Sequence, residues 1–376
     1  MSAADYDVVV AGGGPAGATA AFTLARTGHR VLLAEDSRYA RTRLGDALSP
    51  TATALLDRLG LGAATRGCAI PSTGITSAWG GDEPYSHSFL FSPHGEGVHV
   101  DRQRFDRNLA AAAANAGAHL VDARVTACAP VNGAGWRVAM TGRPAVTTRS
   151  VIDATGRHAA VSRACGARRV RHDRLVAIAA DYRGQPAHHG QVLIEAARDG
   201  WWYAAPVPPD RLVVMFLTDT DICREHHYPD PRPWLDHLRR TRHIHDLTTG
   251  RTPIRGPELR SAAGGHVVPR PAPGPWLAVG DAALAKDPLS GGGIDHALDN
   301  GRAGAEAVAA LLADTPGPAR DYQRDLITRR TEYLAQRTAH YRLEQRWPES
   351  AFWSRRHRAP TTPDSAAARA TATTRP

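Results

Sequence analysis

Residues 7–17 read DVVVAGGGPAG, and this stretch decides the fold. An apolar, strand-forming run leads directly into a glycine turn, and residues 18–25 after it have the composition of a helix. Gly28 ends that helix, and residues 30–34 read as a second buried strand that ends at Glu35. The pattern is a βαβ unit, and it predicts an α/β fold with a parallel sheet.

The glycines of this turn have the spacing G-x-G-x-x-G, and the turn comprises Gly12, Gly14, Pro15, Ala16 and Gly17. The first glycine permits the tight bend, the second lets backbone N–H groups approach a pyrophosphate, and the third lets helix and strand pack closely. The helix N-terminus attracts the phosphate charge. Glu35 lies eighteen residues beyond Gly17, where an acid accepts hydrogen bonds from a ribose hydroxyl. These residues predict a Rossmann-type dinucleotide site but do not choose between NAD and FAD.

Composition excludes several classes. The chain has 376 residues, 42% of them apolar, which suffices for a large core. Its four cysteines form no C-x-x-C pair, which argues against a disulfide scaffold and a zinc ribbon. No apolar run approaches the roughly 20 residues of a membrane span, and Asp5 and Asp7 stand where a signal peptide carries positive charge. We expect a cytoplasmic protein without a membrane span.

The net charge of +9 does not indicate a nucleic-acid partner. Residues 324–376 carry eleven arginines against five acids, so +6 of the total lies there and +3 in the rest of the chain. The body of the protein is therefore close to neutral, and we predict no nucleic-acid binding.

Further elements follow from periodicity and breakers. The sequence predicts a helix over 105–116, strands over 119–121 and 150–153, mostly antiparallel strands over 174–219, a strand over 275–281, a helix from about 294 to 313, and C-terminal helix over 319–356 interrupted at Pro348. The α/β pattern thus resumes after an antiparallel insertion.

Residues 280–294 read GDAALAKDPLSGGGI. This block resembles the G-D-A, D-P and S/T-x-x-G-[IV] segments of the FAD-dependent aromatic hydroxylase superfamily, which includes flavin halogenases and geranylgeranyl reductases. The resemblance implies that Asp281 binds the ribityl chain of FAD. It places the following residues at the cofactor as well: Gly280, Pro288, Gly291, Gly292, Gly293 and Ile294.

Three more segments are similar to the same family. Residues 100–106 resemble v-x-R-x-x-F-D, which implies that Arg102 contacts FAD. Residues 151–157 resemble the D-G segment, which implies that Asp153 orders backbone near the pyrophosphate. Residues 45–50 resemble G-E-x-L-x-P, with Asp46 in place of Glu. Together these matches choose FAD as the cofactor.

The implied fold is α/β, with a Rossmann-type FAD-binding domain, an inserted, mostly antiparallel β-sheet substrate domain and C-terminal helices. We expect the FAD-binding domain to comprise residues 1–70, 96–165 and 270–318, and the substrate domain residues 71–95 and 166–269. C-terminal helices over 319–356 and a disordered tail over 357–376 complete the division.

Aromatic residues supply the candidates for the flavin and substrate pocket. Residues 200–208 resemble the G-W-x-W/Y-x-x-P segment that lies over the flavin in halogenase-like proteins. Large rings there exclude water and stack on a planar substrate, although an aromatic sheet core has the same composition. The candidates are Trp79, Trp201, Trp202, Tyr203 and Lys286, and no catalytic residue is assigned.

With the C-terminal stretch 341–356, these motifs most resemble the flavoprotein maturases of quinone-cofactor amine oxidases, which oxygenate a tryptophan held in a polypeptide. The resemblance implies a monooxygenase of an electron-rich aromatic, either a small molecule or a peptide-linked tryptophan. NAD(P)H or an external flavin reductase supplies electrons, O2 forms a C4a-hydroperoxide, and the indole attacks it. An alternative for Trp347 and Trp353 is that they cap the core.

Three other functions stay open. A halogenase is less favoured because its lysine, which stands well before the D-G segment, is absent, and Lys286 is the only lysine here. A reductase of isoprenoid double bonds shares the P-L-T-G-E-G-I pattern with residues 288–294. A non-catalytic FAD protein that holds a peptide partner is the third.

Polar side chains give weaker signals. Lys286 could balance the pyrophosphate, pair with Asp287 or tune the flavin. His94, His99 and Asp46 are candidate proton handlers. The histidines that invite a metal interpretation are His188, His189, His226, His227, His243 and His245. No carboxylate or cysteine recurs with ligand spacing, so we predict no metal.

Overall fold

The computed structural model describes residues 4–40, 43, 45–131, 135–184, 190–269, 272 and 274–358. The strands are β1 Tyr6–Ala11, β2 Val31–Glu35, β3 Ala47–Leu48, β4 Ala69–Ser72, β5 Gly74–Ala78, β6 Tyr85–Ser88, β7 Gly97–Val100, β8 His119–Asp122, β9 Val125–Val131, β10 Gly135–Met140, β11 Arg143–Asp153, β12 Arg168–Arg171, β13 Leu175–Arg183, β14 Gln191–Ala197, β15 Gly200–Val207, β16 Arg211–Asp219, β17 Thr252–Ser261, β18 Gly265–Val268, β19 Trp276–Ala278 and β20 Leu284–Ala285. The helices are α1 Pro15–Arg26, α2 Pro50–Leu59, α3 Arg102–Asn115, α4 Ala160–Ala164, α5 Thr220–Glu225, α6 Pro231–Leu238, α7 Ile244–Thr248, α8 Gly293–Leu312, α9 Gly317–Arg342 and α10 Ala351–His357.

The first sheet has the order β8-β2-β1-β11-β10-β9, and β19 pairs with β11. β1 runs parallel to both β2 and β11, so the loops after these three strands meet at one edge. β19 is also parallel to β11, which returns the chain to this sheet after the insertion. The predicted α/β fold with a parallel sheet is confirmed, with the β9–β10 pair added antiparallel.

The large sheet has the order β17-β13-β16-β15-β14-β5-β6. Its pairings are antiparallel except that β14 runs parallel to β5. Because side chains of a strand alternate between faces, Trp201 and Tyr203 on β15 share one face, and Trp202 lies on the other. Two three-stranded sheets, β3-β7-β4 and β12-β18-β20, complete the strand content of the described residues.

Two helix boundaries differ from the sequence expectation. α3 begins at Arg102, three residues earlier than predicted, because the Asp101 carboxylate accepts hydrogen bonds from the backbone N–H of Gln103 and Arg104. α9 ends at Arg342, well before Pro348, and α10 starts after the cap Ser350. His357, which the sequence assigns to the tail, is instead the last residue of α10, and the rest of the predicted tail beyond Arg358 lies outside the described residues.

Helices α1 and α8 pack together through a glycine. A Cβ built on Gly301 of α8 would lie 2.3 Å from the backbone oxygen of Ala16, in the first turn of α1. No side chain fits at that distance, so glycine at 301 sets the spacing of the two helices. Within the described residues, no helix is both long and apolar enough to span a membrane.

Replacing Gly301 with alanine forces α1 and α8 apart. We expect the Gly301→Ala variant to lose about 1–3 kcal/mol of unfolding free energy through overpacking, measured by chemical denaturation. Gly293→Ala in the same helix is the control, because a Cβ at Gly293 meets nothing within 4 Å. Equal stability of the two variants would contradict the packing argument.

Candidate functional site

The glycine turn, residues 12–17, connects β1 to α1 at the carboxyl edge of the first sheet. Gly12 has φ +106°, and a Cβ there would lie 2.3 Å from the oxygen of Ala154. A Cβ on Gly17 would lie 1.8 Å from the oxygen of Gly12, so both positions require glycine. Helix α1 begins after Gly14 without a side-chain cap, with Pro15 and Ala16 in its first turn. Its free N–H groups can therefore bind an anion.

Glu35 ends β2 beside this turn, where the sequence places it. Its buried carboxylate accepts hydrogen bonds from the backbone N–H of Gly13 at 2.7 Å and of Ser37 at 2.9 Å. The carboxylate thus holds the glycine turn in shape. Further lone pairs are available to a ligand hydroxyl.

Arg43 is a site residue that sequence reasoning missed. Its guanidinium lies 3.5 Å from carboxylate oxygens of both Glu35 and Asp106. A Cβ on Gly14 would lie 3.3 Å from Arg43 Nη1, so this side chain covers the turn. It is one-third exposed and can reach an anion bound at α1. The available signal was its position two residues before the Gly45-Asp46 motif.

Asp153 orders the backbone that follows β11. Its fully buried carboxylate accepts four hydrogen bonds of 2.6–2.9 Å, two from Thr155 and two from Ser162, in each case from the backbone N–H and the hydroxyl. Ala154, the next residue, contacts the glycine turn at Gly12. The carboxylate therefore shapes the wall of the turn from inside the protein.

The segment 280–294, which contains the second glycine loop at residues 287–293, approaches the same edge of the first sheet from the far end of the sequence. Gly280 has φ +58°, and its N–H donates to Asn300 Oδ1 at 2.6 Å. A Cβ on Gly280 would lie 2.6 Å from Cβ of Ala16, so the residue before Asp281 touches the first turn of α1. The two segments named by the sequence motifs are therefore adjacent.

Open space surrounds the glycines of this loop. Pro288 begins a short 3-10 turn, Gly291 follows with φ +63°, and helix α8 starts after Gly292 without a side-chain cap. A Cβ on Gly291 or Gly293 would meet nothing within 4 Å, so no protein contact requires glycine for space there. Ile294 packs into the core behind the loop. The cradle suits a ligand that needs close approach to the backbone.

Arg102 and Asp281 lie between the two glycine segments. Arg102 is buried and donates to both carboxylate oxygens of Asp106 at 3.1 Å, and to the oxygen of Gly45 at 2.9 Å. Asp281 forms an ion pair with Arg157 at 3.2 Å. The pKa of Arg102 is raised chiefly by Asp106, and Asp281 is close enough to add to this effect. Together with the uncapped helices and Arg43, this donor set fits a dinucleotide with a diphosphate and a polar chain.

The aromatic candidates separate into two groups. Trp202 is fully buried beneath the helices on one face of the large sheet, with ring centroids 4.9 Å from Phe216 and 4.8 Å from Trp234. Trp201 and Tyr203 lie on the opposite face. Trp202 therefore does not line a pocket in common with them.

Trp201 and Trp79 belong to a cluster with the C-terminal segment. Trp201 Nε1 donates to Tyr341 Oη at 3.1 Å, and Trp79 Nε1 donates to the His340 oxygen at 3.1 Å. Trp79 also packs edge-on to Trp353 at 5.3 Å between centroids. Trp353 is fully buried and Trp347 stacks beside it.

Tyr341 joins this cluster to the second glycine loop. Its hydroxyl donates to Asp287 Oδ2 at 2.9 Å, and the hydroxyl of Tyr333 accepts from the Asp287 N–H at 2.7 Å. Arg337 Nε lies 3.2 Å from the same Asp287 oxygen. The suggested pairing of Lys286 with Asp287 is wrong, because Arg337 occupies that position. The Lys286 ammonium lies 5.9 Å from the Tyr333 ring centroid, and burial lowers its pKa.

Histidines form no cation site within the part of the chain that the structure describes. No group of three metal-ligating side chains occurs there, and His188 and His189 lie outside it. His99 is buried with Nε2 2.9 Å from the oxygen of Gly190, and burial lowers its pKa to about 4. His94 is exposed. Neither histidine lies in the glycine cradle.

Comparisons with known proteins agree with this geometry. The FAD binding domain family matches residues 5–323. The chain is 32% identical over 361 residues to the FAD-dependent oxidoreductase LodB of Marinomonas mediterranea, which covers 94% of this chain and 97% of that protein. Among solved structures it resembles the myxobacterial chondrochloren halogenase CndH, with TM-score 0.84, 24% identity and coverage of 97% and 89% of the two chains. It also resembles the peptidyl tryptophan dihydroxylase QhpG, with TM-score 0.71, 25% identity and coverage of 95% and 80%.

Removing the charge of Arg43 tests the cradle. We expect Arg43→Gln to raise the FAD dissociation constant about tenfold, because about 1.4 kcal/mol of attraction to the diphosphate is lost. Fluorescence titration of the FAD-free protein measures this, and the difference should shrink at high salt. Arg38→Gln, an exposed arginine paired with Asp122, serves as the control and should bind FAD normally.

Removing the Tyr341 hydroxyl tests the C-terminal anchor. In Tyr341→Phe the indole N–H of Trp201 and the Asp287 carboxylate both lose a buried partner, so we expect unfolding free energy to fall by about 1–3 kcal/mol. Urea denaturation measures the change. Tyr85→Phe, at a side chain that is 72% exposed, should leave stability unaltered.

Proposed function

The chain belongs to the FAD binding domain family, and from that premise we propose that it is a monooxygenase that hydroxylates the indole ring of a peptide-linked tryptophan. That it is a FAD-dependent oxidoreductase follows from the family match and from its relatives. The substrate and the type of oxidation are the proposed part.

The observation that carries the proposal is where the second glycine loop lies. Helices α1 and α8, which both begin without a side-chain cap, converge on one cradle. Leu289 of the second glycine loop packs against the apolar cluster that includes Trp201 and Tyr203. A flavin held in the cradle by these helices therefore has the large sheet as its neighbour. Bound FAD supplies reduction of O2 by two electrons at a time.

The residues of this chain have three tasks in such a reaction. Arg43, the N-terminus of α1 and Glu35 would bind the diphosphate and ribose, and Asp281 with Arg102 would hold the ribityl chain. The uncapped start of α8 carries a partial positive charge, which would favour a reduced, anionic flavin whose rings lie where the family resemblance implies. The apolar face of the large sheet excludes water. The electron donor is NAD(P)H or a separate flavin reductase.

Two features favour hydroxylation of tryptophan in a polypeptide. QhpG is a peptidyl tryptophan dihydroxylase, and its fold resembles 95% of the present chain. The chain's one lysine, Lys286, stands beside the second glycine loop, after the D-G segment rather than before it, where halogenases of the superfamily carry theirs. The resemblance to CndH, at 24% identity, concerns the fold.

Mass spectrometry tests the proposal. The FAD-loaded protein is reduced without oxygen, then exposed to ¹⁸O₂ with a tryptophan-containing peptide, free tryptophan or an isoprenoid, in the presence and absence of bromide. We expect one or more ¹⁸O atoms in the peptide tryptophan. A brominated peptide, or a saturated isoprenoid with unaltered tryptophan, would overturn the assignment.

The Lys286→Met variant is the matched control for the halogenation outcome. Hydroxylation should continue in this variant at a rate within a few-fold of the wild type, because the proposal gives the lysine no chemical step. Any bromination that depends on the lysine should disappear.

A further inference from the structure

A cavity separates the cofactor cradle from the large sheet. On the cradle side it is lined by Arg43, Asp46, Asp101 and Arg102. On the sheet side it is lined by apolar side chains and by the charged side chains of Asp181, Arg211, Arg255, Glu258 and Arg260. Asp46 lies just before β3 and its backbone oxygen accepts a hydrogen bond from Val100. The cavity has a volume of about 30 Å³, which is room for water but not for a flavin or an indole ring.

The other charged groups of this cavity are paired. Arg211 lies 3.0 Å from Asp101 and 3.4 Å from Asp181, and Arg255 lies 3.8 Å from the same Asp181 oxygen. Arg102 is held by Asp106. Each of these charged side chains has a partner of opposite charge within the protein, so none of them needs a ligand to compensate its burial.

Asp46 is different. It is 5% exposed, and its Oδ2 is buried with no hydrogen-bond partner. A buried carboxylate oxygen without a partner costs stability, because native proteins pair nearly all such atoms. An unpaired oxygen that lines a small polar cavity can bond water in that cavity.

The surroundings keep this carboxyl group close to its protonated form. Burial raises the pKa of Asp46 to about 7, and the negative charges of Asp181 and Asp101 act in the same direction. Arg102 and Arg211 oppose the shift. Tyr203 faces the Asp46 carboxyl group from β15. Burial and the charge of Asp46 raise the pKa of the Tyr203 phenol. Near neutral pH the group can both give and take a proton.

We propose that Asp46 is the proton-exchanging residue of this site, with Oδ2 bonded to water in the cavity that relays protons to and from the bound ligand. The inference rests on the proposed monooxygenase function. Asp46 acts electrostatically on Arg102, which in turn is close to Asp281, the residue that the family resemblance places at the ribityl chain.

The proton balance of aromatic hydroxylation needs such a group. Hydroxylation consumes one O2, a hydride from NAD(P)H and one solvent proton; one oxygen atom enters the ring C–H bond and the other is released as water. Asp46 would supply, through the cavity water, the proton that this second oxygen needs when the O–O bond breaks. The carboxylate then takes the proton from the ring carbon that has gained the new C–O bond, which restores the acid and the aromatic ring.

A spectroscopic titration tests the proposal without any substrate. The visible absorbance of the FAD-loaded wild type should shift as the pH is raised from 6 to 8, because a charge appears in the site. Asp46→Asn should abolish this step. Asp181→Asn, at a carboxylate in the same cavity that is equally buried but ion-paired, should retain the step at a lower pH, because the Asp181 charge helps to raise the pKa of Asp46. A wild-type spectrum without the step, or a step that survives in Asp46→Asn, would refute the inference.

Stability and turnover separate a functional role from a structural one. The folded pKa of Asp46 lies above its unfolded value near 3.8, so its ionisation opposes folding, and wild-type stability falls as the pH rises towards 7. Asp46→Asn should therefore melt at a higher temperature than the wild type at pH 8, with the difference shrinking towards pH 5. Asp181→Asn should melt lower, since it leaves arginines unpaired. A destabilised Asp46→Asn protein would mean that the carboxylate is structural.

If a tryptophan peptide proves to be the substrate, Asp46→Asn should bind FAD within twofold of the wild type and form product at least about 100-fold more slowly. Normal hydroxylation by Asp46→Asn would sink the role of Asp46 and leave the proposed function intact. Absence of FAD from the purified wild type would instead sink the proposed function.

Discussion

The contact between the first turn of α1 and two glycines from the other end of the chain is the constraint on which the site depends. Ala16 meets Gly280 through its Cβ and Gly301 through its backbone oxygen, at distances that leave no room for a side chain. The N-termini of α1 and α8 are thereby brought to one cradle, where their partial positive charges act on the same ligand. Asn300 and Tyr322 hold the turn at Gly280 from behind.

A second constraint comes from the C-terminal segment, which connects the large sheet with the second glycine loop. Tyr333, Arg337 and Tyr341 all bind Asp287, and Tyr341 also receives the indole N–H of Trp201. Helix α10 is anchored on β16 by the ion pair of the buried Arg356 with Asp219 at 2.7 Å. Because these contacts are buried and share partners, the loop, the sheet and α9 should move as one unit. Trp201 and Trp353 serve this anchor, so the aromatic cluster is in large part structural.

The distribution of charge separates structure from chemistry. Most buried ions of the molecule are paired: Arg102 with Asp106, Arg337 with Asp287, and Asp153 through four hydrogen bonds. Asp46 has a carboxylate oxygen without a hydrogen-bond partner in the cavity between the cofactor cradle and the large sheet. The ionised carboxylate opposes folding, and a functional role at the site explains why the protein retains such a destabilising group.

The sequence by itself determined the βαβ unit, the requirement for glycine at Gly12 and Gly17, the acid at the end of β2 and the antiparallel insertion. These features depend on local periodicity and on residues a few positions apart, so they are readable along the chain. The sequence grouped Trp202 with Trp201 and Tyr203 as pocket candidates, and the structure of β15 showed that Trp202 lies on the other face of the sheet. Tertiary structure alone decided that Arg43 covers the glycine turn and that Arg337 rather than Lys286 pairs with Asp287. It also decided that Oδ2 of Asp46 has no hydrogen-bond partner. Each of these depends on side chains distant in sequence that meet in a low-dielectric interior, where distance and burial, and not spacing along the chain, set the interaction.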